Sequence, residues 1–200
     1  MPLSEAQKEK MKQKRARILE TAIVLFAEAG YEGTTIKQVA AKAGISFGSV
    51  FTYFETKETL FHAAVTEPLD HFSKKILDFD DASEKPLEEL ENMIGQHIAT
   101  YASLSAYLNL VSYVISHHNL FPETFEELDA FHETLKGKVA RLVENGQQKG
   151  VLLEQEIEHT VTGYTSLLMG LRLNLIDEPA SDLWAKFIPI ALQLFGPRYH

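Results

Sequence analysis

Cysteine is missing from all 200 residues, which removes disulfide frameworks, thiolate zinc sites and cysteine nucleophiles together. Also missing is any apolar run of the ~20 residues that a membrane span needs. Residues 1–13 are polar and lysine-rich, without the apolar centre of a secretory signal. A cytoplasmic protein with no membrane partner is therefore expected. Catalytic signatures are lacking as well: there is no nucleophile elbow, Walker loop, dinucleotide fingerprint or H-E-x-x-H pair. We expect no enzyme, no catalytic residue and no cofactor. His117 and His118 are neighbours, but adjacent residues diverge by about 100° on a helix. No carboxylate stands one turn away, so no metal site is expected.

Positive charge is scarce overall, with a formal net charge of -9, yet it is unevenly spread. Met1 to Val65 carries nine Lys/Arg against seven Asp/Glu, whereas the rest carries ten against twenty-one. A mildly basic head thus precedes an acidic body. Within the head, Lys8, Lys10, Lys12, Lys14, Arg15 and Arg17 cluster where DNA phosphates would reward them. The same run also reads as a solubilising arm, and composition leaves both open.

What is present is helical periodicity, and no strand pattern is seen. Ile18, Ala22, Leu25, Phe26 and Ala29 recur at helical spacing, and Gly30 reads as a stop. Thr35 and Gln38 have capping-box spacing ahead of a short second helix that ends at Gly44, the residue that takes a left-handed exit without steric cost. Ser46 is placed to cap a third helix over about Phe47 to Phe54, and Thr56 a fourth, which Pro68 is expected to kink or restart. Five more helices are expected near Pro86 to Ser103, Ala106 to His118, Glu123 to Lys149, Glu154 to Ile176 and Ser181 to Phe195. The fold class is all-α with about nine helices. Two short helices joined by a tight glycine turn, with the small Ala40 where they approach, describe a helix-turn-helix. Many helical proteins carry such a pair for packing alone.

The stretch GYEGTTIKQVAAKAGISFGSVFTYFETKETLF, Gly30 to Phe61, closely resembles the TetR family signature. Its TT-x-x-x-IA-x-x-AG-[VI]-S block leads into G-[ST]-[LVIF]-[YF]-x-[HY]-F-x-x-K-x-x-L. The resemblance implies a helix-turn-helix DNA-binding domain over 1–66 and a larger helical ligand-binding and dimerisation domain over 67–200. It implies that Phe47, Gly48, Ser49, Phe51, Thr52 and Tyr53 face the major groove and flanking phosphates, while Val50 and Phe54 face the core. It also implies that Thr35, Lys37, Ser46 and Lys57 meet phosphates, a role that suits hydroxyls, a lysine and helix N-terminal amides. Phe47 departs from the polar or basic residue common there, so contact with a thymine methyl is the expected substitute. Phe51 departs from the common tyrosine and forgoes a phosphate-reaching hydroxyl. Core packing is the other reading of both phenylalanines.

Such a body must hold two heads at the spacing of successive major grooves, roughly 34–36 Å, and change on binding an effector. The family resemblance implies that the last two helices pair with a twofold mate through Leu167, Leu171, Leu175, Trp184, Phe187, Ile188, Leu192 and Phe195; intrachain core is the alternative. The middle helices mix aromatic and polar residues, Ile94, His97, Ile98 and Tyr101, then Tyr107, Leu110, Val111, Tyr113, Val114 and His117. His97, Tyr101, Leu110, Tyr113, Tyr164, Leu168 and Arg172 are the candidate lining of an effector pocket, and each reads equally as core. Arg172 is suited to an acidic ligand, to a partner such as Glu158, or to a solvated edge. The whole reading is a homodimeric repressor of a palindromic, double-stranded DNA operator, released by a small-molecule effector; control by a protein partner is the alternative.

Overall fold

The structure, a computed structural model, describes residues 4–175 and 178–198, and these form nine α-helices with two short 3-10 turns. Ile176, the expected end of the eighth helix, lies outside them. Ser4 starts the chain's first helix: its hydroxyl accepts from the Gln7 amide at 3.3 Å, and the Gln7 side chain accepts from the Ser4 amide at 2.8 Å. Two orphan N–H groups are satisfied at once, so α1 (Glu5–Gly33) begins well before the apolar repeat at Ile18. The lysine-rich segment is therefore helix. Ile18, Ala22 and Phe26 are fully buried, and the helix breaks its regular conformation at Gly30, where φ is 68° and ψ is 178°.

Thr35 and Gln38 form the expected capping box at the start of α2 (Ile36–Ala43), which ends on left-handed Gly44. The third helix, α3 (Phe47–Val50), is shorter than its periodicity suggests. Beyond Val50 the chain tightens into a three-residue bond, with the Tyr53 amide donating to the Val50 carbonyl at 2.9 Å. Thr56 and Thr59 exchange caps at the start of α4 (Lys57–Ile76). Of the two outcomes expected at Pro68, a kink or a restart, the restart does not occur: the helix runs on through it. It also crosses residue 66, where the sequence reading divides head from body, so both share one helix.

The body continues through α5 (Pro86–Ala102), α6 (Ser105–Ser116), α7 (Pro122–Gln148), α8 (Ile157–Asn174) and α9 (Ile188–Gln193). Pro86 and Pro122 open their helices at positions where a missing N–H costs nothing. α1 packs along α4 and α6, α7 along α8, and α5 along α9. One buried cluster runs from Ile18 to Phe195 and joins head to body. Among the described residues there is no strand, only an isolated bridge between Leu152 and Pro197 that pins the C-terminal segment to the turn before α8. No single helix among them is long and apolar enough to cross a membrane.

Candidate nucleic-acid interface and internal cavity

Val50 and Phe54 are buried and anchor the α3 segment, which leaves its remaining side chains outside. Phe47 is 49% exposed and Phe51 is 41% exposed, their rings edge to face at 5.2 Å. Neither belongs to the core, the alternative that the sequence left open. Thr35, Lys37, Ser46, Gly48 and Thr52 are exposed around them, and Ser49 and Tyr53 are half-buried. Ser46 stands at the N-cap of α3 but does not cap it: its hydroxyl meets the Ser49 hydroxyl at 2.5 Å instead. All of these predicted contact residues thus keep some surface outside the core, Phe47 and Phe51 as an exposed aromatic pair.

Lys57, in the first turn of α4, is held by its ammonium 4.0 Å above the Tyr31 ring. The Tyr31 hydroxyl donates to the Glu58 carboxylate at 2.5 Å, which holds Glu58 below the usual carboxylate range, while burial and that carboxylate push the tyrosine up. Tyr31 also meets Phe61 and Phe121 edge to face, each with ring centres 5.1 Å away. Arg15, one of the basic cluster, is engaged within the chain: it pairs with Glu67 of α4 and lies 4.8 Å from the Phe54 ring centre. Lys8 pairs with Glu5 at 2.8 Å. Lys10, Lys12 and Arg17 are exposed.

A cavity of about 320 Å³ lies among α4, α5, α6, α7 and α8. Of the seven candidate lining residues, Tyr101 is there; Tyr107 and Val111 of the same aromatic stripe join it, with Leu69, Phe72, Phe125 and Met169, which sequence reading missed. The others are used differently. Leu110, Tyr164 and Leu168 are fully buried in the core. His97 is locked between the Tyr164 hydroxyl at 2.9 Å and the Ile76 carbonyl at 2.7 Å. Arg172 donates to the Ala102 carbonyl at 3.1 Å and lies over Trp184. Tyr113 lies under Gly30 at the junction of α1 and α6, where a shallow separate groove opens. Periodicity marks which side of a helix is inward, but only the helices packed around it decide whether that side meets side chains or a void.

The expected dimer residues are also divided. Trp184, Leu192 and Phe195 are buried within the chain itself and so are not available to a mate, while Leu167, Leu171, Leu175, Phe187 and Ile188 are half-buried. The large apolar side chains left outside on these helices are Leu173, Ile190 and Leu194. Among the described residues no group of three His, Cys, Asp or Glu is placed to hold a metal ion.

Residues 18–64 match the family model described as bacterial regulatory proteins, tetR family. An uncharacterized HTH-type transcriptional regulator of Bacillus subtilis, YerO, is 29% identical over 125 residues, covering 62% of this chain and 42% of that protein. The HTH-type transcriptional repressor KstR2 of Mycobacterium tuberculosis is 34% identical over 80 residues, 40% of each chain. The chain thus spans about two fifths of the length of these curated relatives. A regulatory protein of the tetR family from Rhodococcus RHA1 superposes with a TM-score of 0.81 at 25% identity, covering 93% of this chain and 98% of that one.

Proposed function

Because this chain belongs to the TetR family of bacterial regulatory proteins, we propose that it is a homodimeric repressor whose α2–α3 surface binds a palindromic operator and which leaves DNA when a small molecule fills its cavity. The observation that carries this reading is the course of α4. One helix has Lys57 in its first turn, beside the DNA-facing surface, and Leu69, Phe72 and Ile76 on the cavity wall. A ligand that packs better against a shifted α4 would displace the lysine, which is the differential contact that any ligand-driven change requires. Phe125 of the cavity wall and Phe121 against Tyr31 are one turn apart at the start of α7, giving the ligand a second hold on the same lysine. The apolar cavity favours a small molecule over a protein partner, and the relative KstR2 is a repressor.

Selection of random duplexes by the purified protein, followed by a salt titration on the enriched sequence, tests the reading. We expect a palindrome with a thymine facing Phe47, and Lys57→Ala should lower the slope of log affinity against log salt by about one. Absence of enrichment at every salt concentration would overturn DNA binding. An unchanged slope would remove Lys57 from the contacts.

A further inference from the structure

The cavity wall has unequal chemistry, and its polar atoms can be accounted for one by one. Most of the lining is aliphatic or aromatic. The Tyr107 hydroxyl is occupied, donating to the Val65 carbonyl at 2.8 Å, and the Thr165 hydroxyl donates to the Thr162 carbonyl at 3.2 Å. Tyr101 differs: it is only 9% exposed, it lines the cavity, and its hydroxyl has no hydrogen-bond partner among the described residues. That hydroxyl is not among the sealed, unpaired polar atoms of the described residues, so it opens into the cavity, where its proton is left to an acceptor on the occupant. Among the described lining residues there is no lysine or arginine. The one carboxyl and one imidazole of the lining, Asp129 and His132, are exposed and one turn apart on α7. An anion inside would be buried without a counter-charge.

We infer that the cavity takes a neutral, largely hydrocarbon molecule bearing one carbonyl oxygen, as in a ketone, ester or amide, and that the Tyr101 hydroxyl is the donor that selects it. Burial pushes that hydroxyl up to about 12, so it keeps its proton at neutral pH. The inference rests on the small-molecule reading above and names its ligand class. The volume, about 320 Å³, is at the small end of the ~300–1,000 Å³ common for ligand sites.

The test is calorimetric titration of the full chain with three probes of related skeleton: butyrophenone, butylbenzene, which has no acceptor, and phenylbutyrate, which is an anion at neutral pH. Butyrophenone should bind roughly three- to tenfold more tightly than butylbenzene, the range of one neutral hydrogen bond, and phenylbutyrate should bind most weakly. Tyr101→Phe should erase the preference for the ketone while leaving butylbenzene binding and thermal stability in place. Met169→Trp, which fills the cavity from α8, should abolish binding of all three with the helical circular dichroism intact. Equal affinities in the native chain, tightest binding of the anion, or a ketone preference that survives Tyr101→Phe would overturn the ligand class and leave the small-molecule reading standing. Binding of none of the probes, or binding that Met169→Trp does not disturb, would overturn the cavity as a ligand site altogether.

Discussion

The protons on the His97 imidazole can be assigned from its partners. The Ile76 carbonyl only accepts, so Nε2 carries the hydrogen; Nδ1 then accepts from the Tyr164 hydroxyl, and both nitrogens are satisfied in the neutral ring. Burial lowers its pKa from 6.5 to about 4, against a smaller opposing effect of the hydrogen bond to Ile76. Between these values the unfolded chain binds the proton and the folded chain does not. Stability is therefore complete above the unfolded value and falls as the solution is acidified toward the folded one, by about 3 kcal/mol in all. We expect the urea midpoint to fall from neutral pH to about pH 4.5 more steeply for the native chain than for His97→Gln; parallel slopes would remove His97 as the cause. The same residue shows a limit of the sequence. His97 and Tyr101 are four positions apart on one face of α5, and both read as pocket or core. One meets a carbonyl and a tyrosine from other helices and the other meets a void, a difference made by α4, α7 and α8 that no pattern within α5 contains.

Elements were more legible where a backbone conformation demands a residue type. Gly44 occupies the left-handed region with φ 65° and ψ 40°, and a Cβ there would meet no atom within 4 Å, so its requirement is purely conformational. Gly30 has φ 68° with an extended ψ of 178°, a region essentially closed to other residues, and a Cβ there would come within 3.1 Å of the Tyr113 ring. Gly44→Ala should lower the free energy of unfolding by about 1–2 kcal/mol, and Gly44→Asn by less, since asparagine visits this region more readily. Gly30→Ala should cost more than either, because strain and contact add. Chemical denaturation of the three variants checks the order; a Gly30→Ala chain as stable as Gly44→Ala would mean that the α1–α6 junction yields easily. Thr35 with Gln38 and Thr56 were equally readable, since caps are local. The path of α4 through Pro68 and the early end of α3 were not, since neighbouring helices bear on both outcomes.

At the scale of the whole molecule, the proposed palindrome requires two heads at fixed spacing, and the proposed dimer requires a surface for a mate. The family resemblance implied such a surface on the last two helices, but Trp184, Leu192 and Phe195 are buried within the chain itself, where the Phe195 ring lies tilted against Tyr164 with centres 5.1 Å apart. Composition cannot divide apolar residues between an inner and an outer face when both are needed. The structure draws attention to a different stripe. Gly163, Ser166, Gly170 and Leu173 follow one another at spacings of three and four along α8, which puts them on one face. A Cβ at Gly163 or Gly170 would meet nothing within 4 Å, and Ser166 and Leu173 are exposed. Small side chains allow two helices to approach closely, and a long charged one at the centre of the stripe would hold them apart. Ser166→Arg should therefore yield a monomer by light scattering, with helical content unchanged, and should weaken binding to a full palindrome far more than to a half-site. If its mass remains that of a dimer, the mate does not sit on this side of α8, and the exposed Ile190 and Leu194 of the C-terminal segment become the surface to alter next.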